Sequence, residues 1–286
     1  MAGKPRQYLC FVILCWGCDV AIKTIRSRDN AFVKQLIALA HSSRERRKAG
    51  LTVLDGIHLV RAYVDAQGAP HAIAVAESAL EREEVVALLA HRAISGQVNV
   101  LADNLMAEAS ALESPAFLMA TITTPEPAAI PTNASVLVLE DLQDPGNVGS
   151  LLRSAAAAGI EHILTSKTTA FAWSPKVLRA AQGAHFSINI VEGADVAAFL
   201  KNYRGRSLAL VPRGEGVQSL YAQNLAGAIA ILVGNEGSGL SAETLQAASR
   251  RVTIPMPGNI ESLNAAAAGA ICLFEMVRQR VPSKHS

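Results

Sequence analysis

The residues best suited to chemistry form a polar cluster directly before a long apolar helix near the C-terminus. The cluster consists of Asn259, Glu261, Ser262 and Asn264. The helix, predicted from about Leu263 to Val277, is rich in alanine and apolar all round, so we expect it to be buried nearly all round. Its polar first turn then needs a partner. Because that turn offers free backbone N–H groups at the positive end of the helix dipole, the pattern predicts a site for a polar ligand.

Two more loops of this kind lie upstream, each where a strand gives way to a turn or a helix. They are DPGN at Asp144–Asn147 and GNEGSG at Gly234–Gly239. Glycines let a ligand approach the backbone. GNEGSG nevertheless lacks the glycine order of a dinucleotide fingerprint and the lysine of a phosphate loop, and by itself it could be a tight turn. Three such loops in one chain together predict one ligand site.

Arg153 is the cation expected nearest to these loops. It lies six residues beyond Asn147, on a helix otherwise composed of small and apolar side chains. A single arginine there commonly forms a salt bridge or a cap. The strand–loop pattern, however, places it at the same edge as Glu236 and Asn264, and an arginine beside an acid and two amides favours recognition of phosphate or ribose. The seven histidines form no cluster, so histidine acid–base chemistry is not indicated.

The elements that must position these residues alternate regularly between strands and helices. In residues 134–286 the predicted strands are Ser135–Glu140, His162–Thr165, Phe186–Val191, Leu208–Val211, Ala228–Val233 and Arg251–Pro255. Helices fall between most of them. This alternation predicts an α/β fold whose C-terminal sheet is mostly parallel and covered by helices. Ligands on such sheets bind beyond the carboxyl ends of the strands, where the three loops lie.

A proline-rich segment divides the chain. Residues 123–133, TTPEPAAIPTN, contain three prolines and no periodicity, so they are predicted to be a linker. Residues 22–122 before it read as a small α/β domain. Its helices are predicted at Asp29–Ser42, closed by the basic run SSRERRKAG, at Ile57–Ala66 and near Glu81–Arg92. Residues 134–286 form the second domain, and residues 1–21 are interpreted as an extension of uncertain role.

Composition and charge limit the class of protein. With 50% hydrophobic and 17% charged residues, the chain is globular and not disordered. The net charge of +2 hides an asymmetry, since residues 1–50 carry ten Lys and Arg against three Asp and Glu. This local excess predicts a surface for a polyanion. The candidate phosphate contacts are Arg44, Arg46, Arg47 and Lys48.

The cysteines and the N-terminal apolar run indicate neither a metal site nor a membrane span. Cys10, Cys15 and Cys18 lie together near the N-terminus, and Cys272 lies in the apolar helix, which is neither a disulfide framework nor a zinc pattern. The run Tyr8–Trp16 is too short to cross a bilayer, and no signal cleavage site is clear. We therefore expect a cytoplasmic protein without a membrane partner or a bound metal.

Three segments resemble the signature motifs of the SpoU (TrmH-type) RNA 2′-O-ribose methyltransferases of the SPOUT superfamily. They are VLVLEDLQDPGNVGSLLRSAAAAGI, ILVGNEGSGLS and IPMPGNIESLNAAAAGAICLFE, in the family's order. The segments SRDNAFVKQLIALAHSSRERRKAG and LDGIHLVRA are similar to the family's N-terminal substrate-binding domain. The resemblance covers nearly everything after about residue 22.

The resemblance implies more than periodicity does. It implies a deep trefoil knot in the C-terminal domain, S-adenosyl-L-methionine as cofactor, a homodimer formed through that domain, and an RNA substrate. Ribosomal RNA is favoured, while transfer RNA and an inactive RNA-binding protein of the same fold stay open. A dinucleotide-dependent oxidoreductase, the rival class of enzyme, is disfavoured because no glycine fingerprint follows the first strand of either domain.

The family motifs also imply roles for individual residues. The expected cofactor-binding residues are Gly234, Asn235, Gly237, Ile254, Met256, Ser262 and Leu263. The expected catalytic residues are Arg153, Asn147, Glu236, Ser262 and Asn264. Because an arginine gives up its proton very reluctantly, we expect Arg153 to hold a phosphate and polarise the hydroxyl, with base action left open. Glu236 stays an alternative proton acceptor.

Overall fold

The structure, a computed structural model, describes residues 20–94, 96–111 and 116–281. Its contacts divide the chain into two units. The first comprises the described residues up to Pro125 together with Trp173–Arg179, and the second comprises Glu126–Ala172 and the described residues from Ala180 onwards. The expectations for Cys10, Cys15 and Cys18 lie outside the described residues. The domain limits drawn from the sequence, at residues 122 and 134, stay a prediction.

The first unit is built on a five-stranded mixed sheet in the order β1-β4-β3-β5-β2. Its strands are β1 (Val20–Ile25), β2 (Leu51–Asp55), β3 (Ala72–Ala76), β4 (Gly96–Leu101) and β5 (Leu118–Thr123). Its helices are α1 (Ala31–His41), α2 (Ser43–Ala49), α3 (Ile57–Gln67), α4 (Glu83–Leu89) and α5 (Asp103–Ala109). The three predicted helices are confirmed. β1, α5 and β5 were not predicted from the sequence, because the run of apolar residues in each of them is short.

The basic run 42–50 differs from its prediction. It forms a separate helix, α2, because the Ser42 hydroxyl accepts a hydrogen bond from the Glu45 backbone N–H at 3.2 Å and starts a new N-terminus. Arg46 is only 4% exposed, and its guanidinium donates to the carbonyls of Leu39, at 2.5 Å, and Ala40, at 3.1 Å. The interpretation of Arg46 as a phosphate contact is therefore wrong, since this side chain caps the end of α1.

The second unit is built on a seven-stranded sheet in the order β10-β12-β9-β11-β6-β7-β8, and every pair in it is parallel. Its strands are β6 (Val136–Leu139), β7 (His162–Ser166), β8 (Asn189–Ala194), β9 (Arg206–Leu210), β10 (Gln218–Ser219), β11 (Ile229–Val233) and β12 (Arg250–Thr253). Its helices are α6 (Pro145–Ala157), α8 (Val196–Asn202), α9 (Ala242–Ala247) and α10 (Ala265–Arg280). Helix α7 (Pro175–Ala181) lies mostly within Trp173–Arg179, the stretch that belongs to the first unit. The predicted parallel sheet is confirmed.

Every residue of the central strands β6 and β11 is buried, so both faces of the sheet are covered. In the register, Leu139 pairs with Val233 on one side and with Thr165 on the other. The loops that follow β6 and β11 therefore leave the sheet side by side. This pairing brings the DPGN and GNEGSG loops to one edge.

The final helix, α10, is less buried than its composition predicts. Only one stripe is buried, formed by Gly269, Cys272, Leu273, Glu275 and Met276, while Phe274 is 48% exposed. The expectation of burial nearly all round is wrong for the chain alone. Among the described residues, no helix is both long and apolar enough to span a membrane.

Gly269 sets how closely α10 approaches α6. A Cβ at this position would lie 2.3 Å from Leu151 Cδ2 and 3.3 Å from Val233 Cγ2. Leu151 and Val233 are themselves buried, so neither side chain can move away without disturbing the core.

We predict that Gly269→Ala lowers the free energy of unfolding by about 1–3 kcal/mol through overpacking, despite the better helix propensity of alanine. Urea unfolding measures the difference. The matched control is Gly258→Ala, where an added Cβ has open space within 4 Å. Equal midpoints for both variants would show that close packing at Gly269 does not limit stability.

Candidate active site

A cleft of about 590 Å³ lies beyond the carboxyl ends of β9, β11 and β12. Its walls come from residues 211–212, from the loop 234–239 and from the segment 253–265. All the residues expected to bind a cofactor line it: Gly234, Asn235, Gly237, Ile254, Met256, Ser262 and Leu263. Three of the expected catalytic residues, Glu236, Ser262 and Asn264, line it as well.

The loop 234–239 is held in one closed conformation. The backbones of Asn235 and Gly239 exchange two hydrogen bonds of 3.0 Å, and Asn235 Oδ1 accepts from the N–H groups of Gly237 and Ser238. A Cβ on Gly234 would lie 2.4 Å from the Gly239 carbonyl carbon, a backbone atom that cannot swing away. Only glycine fits at 234, and the loop therefore presents its backbone to the cleft.

A chain of three polar side chains joins the three predicted loops. Asn264 Nδ2 donates to Asn147 Oδ1 at 2.9 Å, and Asn147 Nδ2 donates to Glu236 Oε1 at 3.0 Å. We call these three residues the amide–carboxylate chain. It confirms that the loops after β6, β11 and β12 meet at one edge of the sheet.

Which group donates and which accepts along the amide–carboxylate chain is determined by its first member, Asn264. Asn264 is the N-cap of α10, and its Oδ1 accepts from the N–H groups of Ala266 at 2.9 Å and Ala267 at 3.1 Å. Its Nδ2 must then point at Asn147, which in turn must point its own Nδ2 at Glu236. The chain ends on Glu236 Oε1 as an acceptor, an arrangement that favours the ionised carboxylate.

Glu236 is held by further donors. Its Oε1 also accepts from the Asp144 N–H at 3.3 Å, and its Oε2 accepts from the Gln143 N–H at 3.4 Å. Partial burial raises the pKa of Glu236, but the hydrogen bonds from Asn147 and from the backbone outweigh burial and hold the pKa below its ordinary value. A carboxylate stabilised in this way is a weak base at neutral pH.

The DPGN loop places Asn147 through its own cap. Asp144 Oδ1 accepts from the N–H groups of Gly146 at 2.6 Å and Asn147 at 3.1 Å, and Pro145 occupies the first turn of α6. An aspartate at the N-cap and a proline in the first turn are residue types favoured at the start of a helix. They fix the first turn of α6, on which the Asn147 side chain faces Glu236.

The structure does not bring Arg153 into this network. It lies six residues beyond Asn147, about 9 Å further along the helix axis, and its side chain is exposed. Among the described residues it has no ion pair or side-chain hydrogen bond, and it does not line the cleft. Its guanidinium is therefore available to a ligand from outside the cleft.

The sequence did not reveal two residues that support the site. Glu140, directly after β6, accepts from the Ser241 backbone and hydroxyl and from the Thr244 hydroxyl, which fixes α9 behind the loop 234–239. Asp141 has a φ of 58°, and its carbonyl accepts from Asn235 Nδ2 at 2.8 Å. The signal in the sequence that could have identified both residues is the occurrence of two adjacent acids, Glu140 and Asp141, immediately after a fully apolar strand.

The remaining predicted site residues lie on α2. Arg44, Arg47 and Lys48 are exposed there, whereas Arg46 is not. No group of three or more His, Cys, Asp or Glu side chains within the described ranges could hold a metal ion.

Comparison with known proteins places this architecture among RNA methyltransferases. A model of the SpoU rRNA methylase family matches residues 134–274, and a model of the MRM3-like substrate binding domain matches residues 30–120. An uncharacterized tRNA/rRNA methyltransferase of Synechocystis sp. is 32% identical over 91% of this chain and 95% of its own length. The 23S rRNA guanosine 2′-O-methyltransferase RlmP of Bacillus subtilis is 28% identical over 89% of this chain and 99% of its own.

A solved structure is similar over the same extent. The SpoU methyltransferase AviRb from Streptomyces viridochromogenes, in complex with the cofactor AdoMet, has a TM-score of 0.76 and 26% identity. The match covers 88% of this chain and 98% of that one.

We predict that Glu236→Gln lowers the free energy of unfolding at pH 7 by about 0.5–1 kcal/mol, because a glutamine Nε2 would face a backbone donor. Since the folded-state pKa is lowered, the wild-type advantage is fully present above the ordinary glutamate value of 4.5 and is lost as the pH falls through the folded-state value. Urea unfolding at pH 7, 5 and 4 measures this, with the exposed Glu243→Gln as control. A difference that stays constant down to pH 4, or grows, would contradict the prediction.

Proposed function

This chain belongs to the SpoU rRNA methylase family, and we propose from that membership that it methylates a ribose 2′-hydroxyl of ribosomal RNA in the cytoplasm, with S-adenosyl-L-methionine as methyl donor. The observation that carries the proposal is the cleft at the sheet edge, lined by every residue expected to bind the cofactor and closed by the amide–carboxylate chain.

The charges that line the cleft fit this cofactor. Its charged lining residues are the carboxylates Glu236 and Glu261, and no lysine or arginine lines it among the described residues. Such a lining favours a ligand with positive charge, as a sulfonium and an ammonium group provide, and disfavours the pyrophosphate of a dinucleotide. Its volume suits a small cofactor, and Ile254 and Leu263 add apolar surface for a flat ring.

The chain's own task is to orient the reactants. S-adenosyl-L-methionine supplies a methyl group that is already activated as part of a sulfonium. The residues of the cleft hold the acceptor hydroxyl in line with it, and the proton that the hydroxyl loses on methylation passes to solvent. Ser262 and Asn264, beside the rigid loop 234–239, are placed to position cofactor or ribose.

Arg153 and Glu236 have different roles in this proposal. The exposed guanidinium of Arg153 binds the phosphate next to the target ribose, for which its planar set of donors is suited. Glu236 acts as a positioning residue, because its lowered pKa and three donors leave it little tendency to take a proton. On α2, the exposed Arg44, Arg47 and Lys48 add sequence-independent contacts to the RNA backbone.

We predict that Arg153→Ala lowers kcat by about 100-fold or more while the affinity for S-adenosyl-L-methionine changes less than about threefold. The assay uses tritiated cofactor with ribosomal and transfer RNA from a strain lacking the gene, and calorimetry measures cofactor binding. The exposed Arg204→Ala serves as control.

Label in ribosomal RNA that resists alkaline cleavage at the modified nucleotide is the expected result. Label confined to transfer RNA would correct the substrate class. Cofactor binding by a wild-type protein that labels neither RNA would indicate an assembly intermediate as substrate, and failure to bind the cofactor would overturn the methyltransferase proposal.

The uncovered face of α10 supports a homodimer formed through the second domain. Phe274 is half exposed there, and Ile260 and Leu263 are exposed in the segment that leads to the helix. A second copy of the chain would cover this apolar surface. The same family membership supports a deep trefoil knot, formed where the segment 254–264 passes the loop 234–239.

We predict that Phe274→Glu shifts the protein from dimer to monomer in sedimentation velocity at micromolar concentration, because an unpaired charge would be buried in the interface. Tyr221→Glu, which changes another exposed aromatic residue outside α10, should leave the dimer intact. Dimerisation of the Phe274 variant with unchanged affinity would assign the interface to another surface.

A further inference from the structure

The first unit contains a cavity of about 320 Å³ at the amino ends of β3 and β4. Its polar lining residues are Lys23 on β1, His71 before β3, and Gln97 and Asn99 on β4. Phe32, in the first turn of α1, lines it together with the apolar Ile73, Ile94 and Val98. The proposed methyltransferase chemistry makes no use of this cavity.

Asn99 is the unusual member of this set. It is 6% exposed and lies between Val98 and Val100 in a strand that is otherwise apolar at its buried positions. Its Nδ2 donates to the Ile73 carbonyl at 3.2 Å, and its Oδ1 accepts from Gln97 Nε2 at 3.2 Å. These two bonds fix which way the amide faces. They use two of the four hydrogen bonds that the group can make, so one N–H and one lone pair remain for a ligand.

The other lining residues surround this amide with complementary chemistry. Phe32 is only partly buried, and the hydrogen bond of its backbone N–H to the cap Asn30, at 2.9 Å, fixes its place at the start of α1. Lys23 is the direct neighbour of Asn99 across the parallel pair β1–β4, and its side chain is exposed. The cavity therefore offers an aromatic face, a fixed amide and a cation.

We propose that this cavity binds one unpaired nucleotide of the RNA substrate. The base stacks on Phe32, its edge is read by the amides of Asn99 and Gln97, and its phosphate lies next to Lys23. A flat ring with hydrogen-bonding groups at its edge and an attached negative charge matches these three features together. The inference rests on the proposed RNA substrate, to which it adds a requirement for a single-stranded or looped-out position.

The size and chemistry of the cavity select an unpaired nucleotide over a duplex. A volume near the lower end for ligand sites suits one base with its ribose. In a double helix the base faces are stacked on each other and cannot reach an aromatic side chain, whereas in loops and bulges they can. A base–aromatic contact also tolerates different bases. Any preference for one base would therefore come from the amides of Asn99 and Gln97 and not from the Phe32 ring.

The test measures RNA binding by the full chain, without methyl transfer, so that it can succeed or fail independently of the proposed activity. The probes are a fluorescein-labelled single-stranded RNA decamer of mixed sequence and a fully paired RNA duplex of equal length, followed by fluorescence anisotropy. Phe32→Leu and Gln97→Ala change residues that are not fully buried, which protects the fold. Phe117→Leu is the matched control, because Phe117 is also part-buried in the same unit but packs under Arg82 at 4.1 Å.

We expect Phe32→Leu to weaken binding of the single strand by roughly 5- to 100-fold, and Gln97→Ala to weaken it by a smaller factor. Binding of the duplex should not change, and Phe117→Leu should match the wild type with both probes. Wild-type affinity of both cavity variants for the single strand, or equal losses on the single strand and the duplex, would overturn the proposal. Displacement of the decamer by free nucleoside monophosphates at micromolar concentration would assign the cavity to a free nucleotide and overturn it as well.

Discussion

The directed hydrogen bonding from Asn264 through Asn147 to Glu236 is the interaction on which the candidate site depends. One end is fixed by the cap of α10, whose backbone donors leave Asn264 a single way to face. The other end is fixed by a carboxylate that accepts from three donors. Because each amide has only one orientation that satisfies its neighbours, the three loops are held in one arrangement without any ligand. Such pre-organisation reduces the ordering that binding would otherwise require.

That arrangement is possible only because two glycines let backbone and helix approach closely. At Gly234 the neighbouring Gly239 backbone occupies the space of a side chain, and at Gly269 the Leu151 side chain does. The first contact closes the loop beside the cleft, and the second brings α10 against α6, so that Asn264 and Asn147 come within hydrogen-bonding distance. A side chain at either position would separate the residues of the amide–carboxylate chain before it touched any ligand.

Much of this architecture could be predicted from the sequence because its signals are local. The alternation of apolar strands and capped helices gives the parallel sheet, and Asp144 and Pro145 mark the start of α6. The burial of Arg46 and the exposed face of α10 could not be predicted from such local signals. The burial of Arg46 depends on where the α1 carbonyls end in space, and the open face of α10 depends on which elements of the chain pack against that helix. Neither property is encoded in the spacing of residues along one segment, and the same holds for the cavity that joins Phe32 to Asn99 across the first sheet.

The position of Arg153 outside the cleft fits the opposite charges of the two ligands in the proposed reaction. A sulfonium donor is a cation, and RNA is a polyanion. An arginine among the lining residues would attract the phosphate but repel the donor, and in a partly desolvated cleft that repulsion would be large. Within the part of the chain that the structure describes, the charged side chains lining the cleft are the carboxylates Glu236 and Glu261, while Arg153 lies further along α6 and is exposed. With carboxylates in the cleft and an arginine outside it, the proposed donor and the proposed RNA would each be attracted to a different part of the surface.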